Sequence, residues 1–122
     1  MAEPRVLVVG LDPAEIEGWD PAPVQAAIAR GRARFDELGL AADWCLVDLD
    51  ADPEGTIAAA LGHADYACVV IGGGVRKHEP LLEFFEKVIN LVRRHAPGAA
   101  IAFDRTPEDC ADAALRWLSP AP

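Results

Sequence analysis

Asp65-Tyr-Ala-Cys-Val-Val-Ile71, followed by Gly72-Gly73-Gly74-Val75-Arg76-Lys77-His78 and then Glu79-Pro80, decides the fold. The run Cys68 to Ile71 is continuously apolar and does not alternate with polar residues. That pattern predicts a parallel strand covered on both faces. Three glycines then let the backbone turn tightly. Glu79-Pro80 predicts a helix start, because proline suits the first helical position. From there Leu81, Leu82, Phe84, Phe85, Val88, Ile89, Leu91 and Val92 recur until Pro97-Gly98 stops the helix. The stretch is thus one strand–turn–helix unit.

The same unit repeats on either side. Arg5-Val-Leu-Val-Val-Gly10 predicts a first strand, with a continuous apolar run from Val6 to Val9. Asp20-Pro21 then caps a helix whose apolar stripe is Val24, Ala27, Ile28, Gly31, Phe35 and Leu38, ending at Gly39. Asp43-Trp-Cys-Leu-Val-Asp48 predicts a second strand, and Asp52-Pro53 opens a short helix that closes at Gly62. After the central unit, Ala99 to Phe103 predicts a fourth strand. Thr106-Pro107-Glu108-Asp109 predicts a capped last helix running to Trp117-Leu118. The order βαβαβαβα implies a parallel sheet with helices on both faces, joined by right-handed crossovers. The expected fold class is α/β, a flavodoxin-like (Rossmann-type) three-layer sandwich. Its sheet has four parallel strands in the order 2-1-3-4, with the usual fifth strand missing. Residues 1–118 form a single domain, since 122 residues leave no room for a second core. Residues 119–122 are expected to be a disordered tail.

Composition excludes several functions. Twenty acidic residues stand against eleven basic ones, for a net charge of −9. That balance opposes nucleic-acid binding, which needs clustered Lys and Arg. No apolar run approaches the roughly 20 residues that span a bilayer. The start, Met1-Ala2-Glu3-Pro4-Arg5, lacks the features of a secretory signal, so a cytoplasmic location is expected. The three cysteines, Cys45, Cys68 and Cys110, are widely spaced and suggest neither a disulfide framework nor a zinc site. Signatures of serine hydrolases, zincins and thiol-redox proteins are missing. The sequence names no cofactor, no metal site and no residue with an assigned catalytic role.

In an open parallel sheet, ligands bind beyond the carboxyl ends of the strands, where the strand order reverses. Here that point lies between strands one and three. The loops meeting there supply the candidate ligand-binding residues Asp12, Gly72, Gly73, Gly74, Arg76, Lys77, His78, Asp104 and Arg105. Successive backbone N–H groups in a glycine turn can form an anion-binding nest. Arg76 and Lys77 set two cations beside that nest in an otherwise acidic chain. The expected ligand is therefore a small anionic molecule. The same segment also fits a plain strand-to-helix turn with two solvated cations. His78 with Asp12 or Asp104 as acid–base groups is the alternative, enzymatic reading.

Helix 79–95 carries more apolar residues than one sheet-facing stripe needs. The surplus has two readings. A neighbouring helix covers it, or a second copy of the chain does, making a homodimer. An edge strand offers a second route to the same dimer.

Two resemblances follow from these residues. The segment from Asp65 to Leu118 resembles small bacterial cytoplasmic proteins of unassigned function. It does so through Val70-Ile71-Gly72-Gly73-Gly74-Val75-Arg76-Lys77, Arg94-His95-Ala96-Pro97-Gly98 and Ala113-Ala114-Leu115-Arg116-Trp117-Leu118. The layout is also similar to response-regulator receiver domains. That resemblance implies a regulatory module, with Asp12 and Thr106 at two receiver positions. Gly72 to Gly74 stand where the phosphoacceptor Asp would be, and no fifth strand supplies the receiver Lys.

Overall fold

The computed structural model describes residues 4–118; the tail expected at 119–122 lies outside them. Four strands form one parallel sheet: β1 (Arg5–Leu11), β2 (Ala41–Val47), β3 (Cys68–Ile71) and β4 (Ala100–Phe103). Their order is β2-β1-β3-β4, the flavodoxin-like arrangement expected. Five helices connect them: α1 (Ala22–Glu37), α2 (Pro53–Leu61), α3 (Gly73–Arg76), α4 (Leu82–His95) and α5 (Cys110–Leu118).

Alternate residues of the strands feed two cores, as the two-residue period of a strand requires. Leu7, Val9, Cys45, Val47, Val69 and Ile71 pack against Ile57 and Leu61 of α2, Val75 of α3, and Val88 and Val92 of α4. Val6, Val8, Cys68, Val70 and Ala102 pack against Phe35 of α1 and Cys110, Ala111, Ala113 and Ala114 of α5. The three cysteines are free and buried, behaving as small hydrophobes.

Several local features differ from the sequence reading. The glycine segment is not a plain loop, because Gly73 to Arg76 close one helical turn. Glu79-Pro80-Leu81 forms a 3₁₀ turn, and α4 proper starts at Leu82. Proline still marks the entry, where its fixed φ suits the start of a turn. β3 begins at Cys68 rather than Asp65, because pairing with both β1 and β4 starts there; ahead of it the Tyr66 hydroxyl donates to Asp43 Oδ2 at 2.7 Å. Thr106 makes no side-chain cap. Asp109 Oδ2 instead accepts from the Arg105 N–H at 3.1 Å, which ties the loop after β4 to the turn that opens α5. Gly39 adopts a left-handed φ of 65°, which stops α1 as expected.

The surplus apolar face of α4 is partly accounted for. Phe84, Phe85, Ile89 and Leu91 are partly buried against the core shared with α2. Phe85 also meets Phe103 of β4 edge to face, with centroids 5.8 Å apart. Leu82 stays exposed.

A candidate ligand cavity at the carboxyl edge of the sheet

The carboxyl ends of the strands open into a cavity of about 920 Å³. This volume is in the range of small-molecule sites. It lies where the strand order reverses, between the ends of β1 and β3. The candidate residues Asp12, Gly72, Gly73, Gly74, Lys77, His78, Asp104 and Arg105 all line it. The apolar part of the wall comes from Leu11, Trp19, Ile28, Trp44, Leu46, Leu49 and Leu81.

Arg76 stands apart from the lining. Its side chain is turned toward β4 and mostly buried. The Nε donates to the Ile71 carbonyl at 3.1 Å, and Nη2 donates to the main-chain carbonyl of Asp104. The guanidinium also lies 5.0 Å from the centroid of the Phe103 ring. Arg76 thus ties the end of β3 to the end of β4.

The glycine turn is already engaged by a carboxylate from the chain itself. Asp104 is 3% exposed. Its Oδ1 accepts from the Gly73 N–H at 3.1 Å and lies 3.4 Å from Arg76 Nη2. Its Oδ2 accepts from the Cys110 thiol at 2.8 Å. Burial raises the Asp104 pKa, opposed by the thiol, Arg76 and Gly73 hydrogen-bond and charge contacts. Burial and the neighbouring carboxylate push the Cys110 thiol well up, so it is a donor and not a thiolate nucleophile at neutral pH.

The cations at the rim are held differently from Arg76. Lys77 Nζ donates to the Arg105 carbonyl at 2.8 Å, linking the turn after β3 to the loop after β4. Among the described residues, no side-chain hydrogen bond or ion pair engages the Arg105 guanidinium or the His78 imidazole. No hydrogen bond joins His78 to Asp12 or Asp104 either. The Asp12 Oδ1 instead accepts from the Ala14 N–H at 3.0 Å, capping a 3₁₀ turn over Pro13–Glu15. Among the described residues, no group of three or more His, Cys, Asp or Glu is placed to hold a metal ion. No described helix is long and apolar enough to cross a membrane.

The residues that sequence reasoning passed over are mainly apolar. Trp19 belongs to the segment between Asp12 and Asp20 and is 61% exposed at the mouth. A tryptophan outside any periodic stripe was the available signal. Trp44 and Leu46 sit in β2, on the face opposite Cys45 and Val47, where strand alternation places them.

Comparison with known proteins adds no functional label, since no family model and no curated protein matches the chain.

Proposed function

We propose that the protein is a binding module for a small anionic molecule with an apolar body, and that it has no catalytic machinery of its own. One observation carries this reading. A cavity of about 920 Å³ at the strand-order reversal combines apolar walls with an Arg105 guanidinium and a His78 imidazole that no other side chain engages. Apolar walls provide affinity by burying surface, while a few charged groups fix the orientation of the ligand. The anion is expected at Arg105, Lys77 and His78, beside the glycine turn. Asp104 already occupies the Gly73 N–H, so the turn positions these side chains more than it cradles the ligand. The module acts in the cytoplasm, independently of nucleic acid, and forms a homodimer through α4 or the exposed edge of β4.

Calorimetric titration with 4-methylphenylacetate tests the reading, since this probe joins a carboxylate to an apolar ring. Saturable binding is expected for the wild type. Arg105→Ala is expected to weaken it by about fivefold or more, the scale of one partly exposed charge pair. Equal and negligible binding by both proteins ends the proposal.

A further inference from the structure

The charges lining the cavity are segregated by strand. The loops after β3 and β4 contribute Lys77, His78 and Arg105. Their one acid, Asp104, is buried and bound within the protein. The wall from the loops after β1 and β2 contributes acids, among them Asp12, Asp48 and Asp50, and no Lys, Arg or His. Resting on the anion-binding reading above, we infer that the ligand is dipolar. It carries an anionic group at one end, an apolar middle, and a protonated amine or similar cation at the other end.

The geometry supports this division. In the order β2-β1-β3-β4, the acidic loops follow one neighbouring pair of strands and the basic loops follow the other. Asp12 follows the strand next to the one that bears Lys77 and His78. Neighbouring strands lie about 4.8 Å apart, so Asp48 after β2 and Arg105 after β4 follow strands roughly three spacings, about 14 Å, apart. One small molecule with separated charges reaches from the basic loops to the acidic ones; a compact anion meets the basic loops alone. The acids alone would be a solvated face. What distinguishes them is that they line the same apolar cavity as cations that no side chain engages.

Two of the acids are also fixed in orientation. Asp12 Oδ1 accepts from Ala14 N–H, and Asp48 Oδ1 accepts from Asp50 N–H at 2.9 Å. The Asp12 N–H donates to the Val47 carbonyl at 2.9 Å, which joins the two acidic loops. In each carboxylate the second oxygen has no hydrogen-bond partner among the described residues. A simple anion would be attracted by one wall and repelled by the other. A dipolar ligand is favoured by both.

Three matched probes test the inference: 4-(aminomethyl)phenylacetate, 4-methylphenylacetate and 4-methylbenzylamine. Each is titrated into the wild type, Arg105→Ala and the double variant Asp12→Asn/Asp48→Asn. Asparagine keeps the oxygen that caps each turn, and an unchanged melting temperature confirms that the double variant folds. The zwitterion is expected to bind the wild type at least about fivefold more tightly than 4-methylphenylacetate. The double variant is expected to erase that difference while binding 4-methylphenylacetate as well as the wild type does, or better. If the zwitterion binds no more tightly than a carboxylate that does bind, the dipolar ligand is refuted and the anion site stands. If 4-methylphenylacetate fails to bind the wild type, the anion site itself is refuted, and the inference falls with it.

Discussion

Asp43 and Asp104 are both partnered carboxylates, yet their surroundings move them in opposite directions. Asp43 receives two hydrogen bonds of 2.8 Å from the Arg5 guanidinium and one of 2.7 Å from Tyr66. The Arg5 hydrogen bonds lead in holding its pKa down to about 2. Its stabilising effect is present above the unfolded value of 3.8 and is lost as the pH falls through about 2. Asp43→Asn is therefore expected to be less stable than the wild type at neutral pH, with the gap closing toward pH 2 in urea melts. Asp104 follows the opposite sign. Burial raises its pKa above 3.8, so ionisation is disfavoured in the fold. Its contribution to stability falls as the pH rises from 3.8 through the raised value. Asp104→Asn is expected to gain stability relative to the wild type across that window, which the same melts would detect. A flat difference would contradict the assignment.

Tyr66 offers a direct reading of the same cluster, because it is the single tyrosine in the chain. Burial and the Asp43 hydrogen bond push it up to about 12. Ultraviolet titration is expected to show phenolate forming near pH 12, and nearer the ordinary value of 10.0 in Asp43→Asn. Phenolate at pH 10 in the wild type would contradict the hydrogen bond.

At the scale of elements, close approach decides which substitutions the fold tolerates. Gly31 on α1 faces the turn before α5, and a Cβ there would sit 2.3 Å from the Pro107 carbonyl oxygen. Backbone cannot yield cheaply, so Gly31→Ala is expected to cost about 1–3 kcal/mol. Gly98, after α4, has open space around it. Gly98→Ala is expected to be neutral within about 0.5 kcal/mol. Chemical denaturation of the two variants checks both. The sequence already placed Gly31 on the apolar stripe of α1, but the identity of its neighbour depends on tertiary packing. The same limit explains α3. Glycine has poor helix propensity, so the pattern from Gly72 to His78 predicts a turn. Packing of the buried Val75 and the Arg76 hydrogen bonds to β3 and β4 hold the helical turn in place.

Across the whole molecule, topology was readable because apolar strands alternate with amphipathic helices, and few parallel sheets satisfy that order. The position of the candidate site followed from topology alone. Its chemistry was only half readable. Lys77, His78 and Arg105 lie where the glycine-rich turn and the last loop predicted. Arg76 is adjacent in sequence yet points the other way, because successive residues of a helical turn face different directions. Trp19, Trp44 and Leu46 enter the wall from other elements, so no local pattern links them to the glycine turn. We propose that this edge of the sheet takes an anionic ligand with an apolar body. Amide and indole chemical shifts of ¹⁵N-labelled protein, followed during titration with 4-methylphenylacetate, test it most directly. Saturable shifts are expected, concentrated at Asp12, Trp19, Gly72–Gly74, Lys77, His78 and Arg105. Unchanged shifts at those residues, or changes confined to α4 and the outer edge of β4, would contradict it.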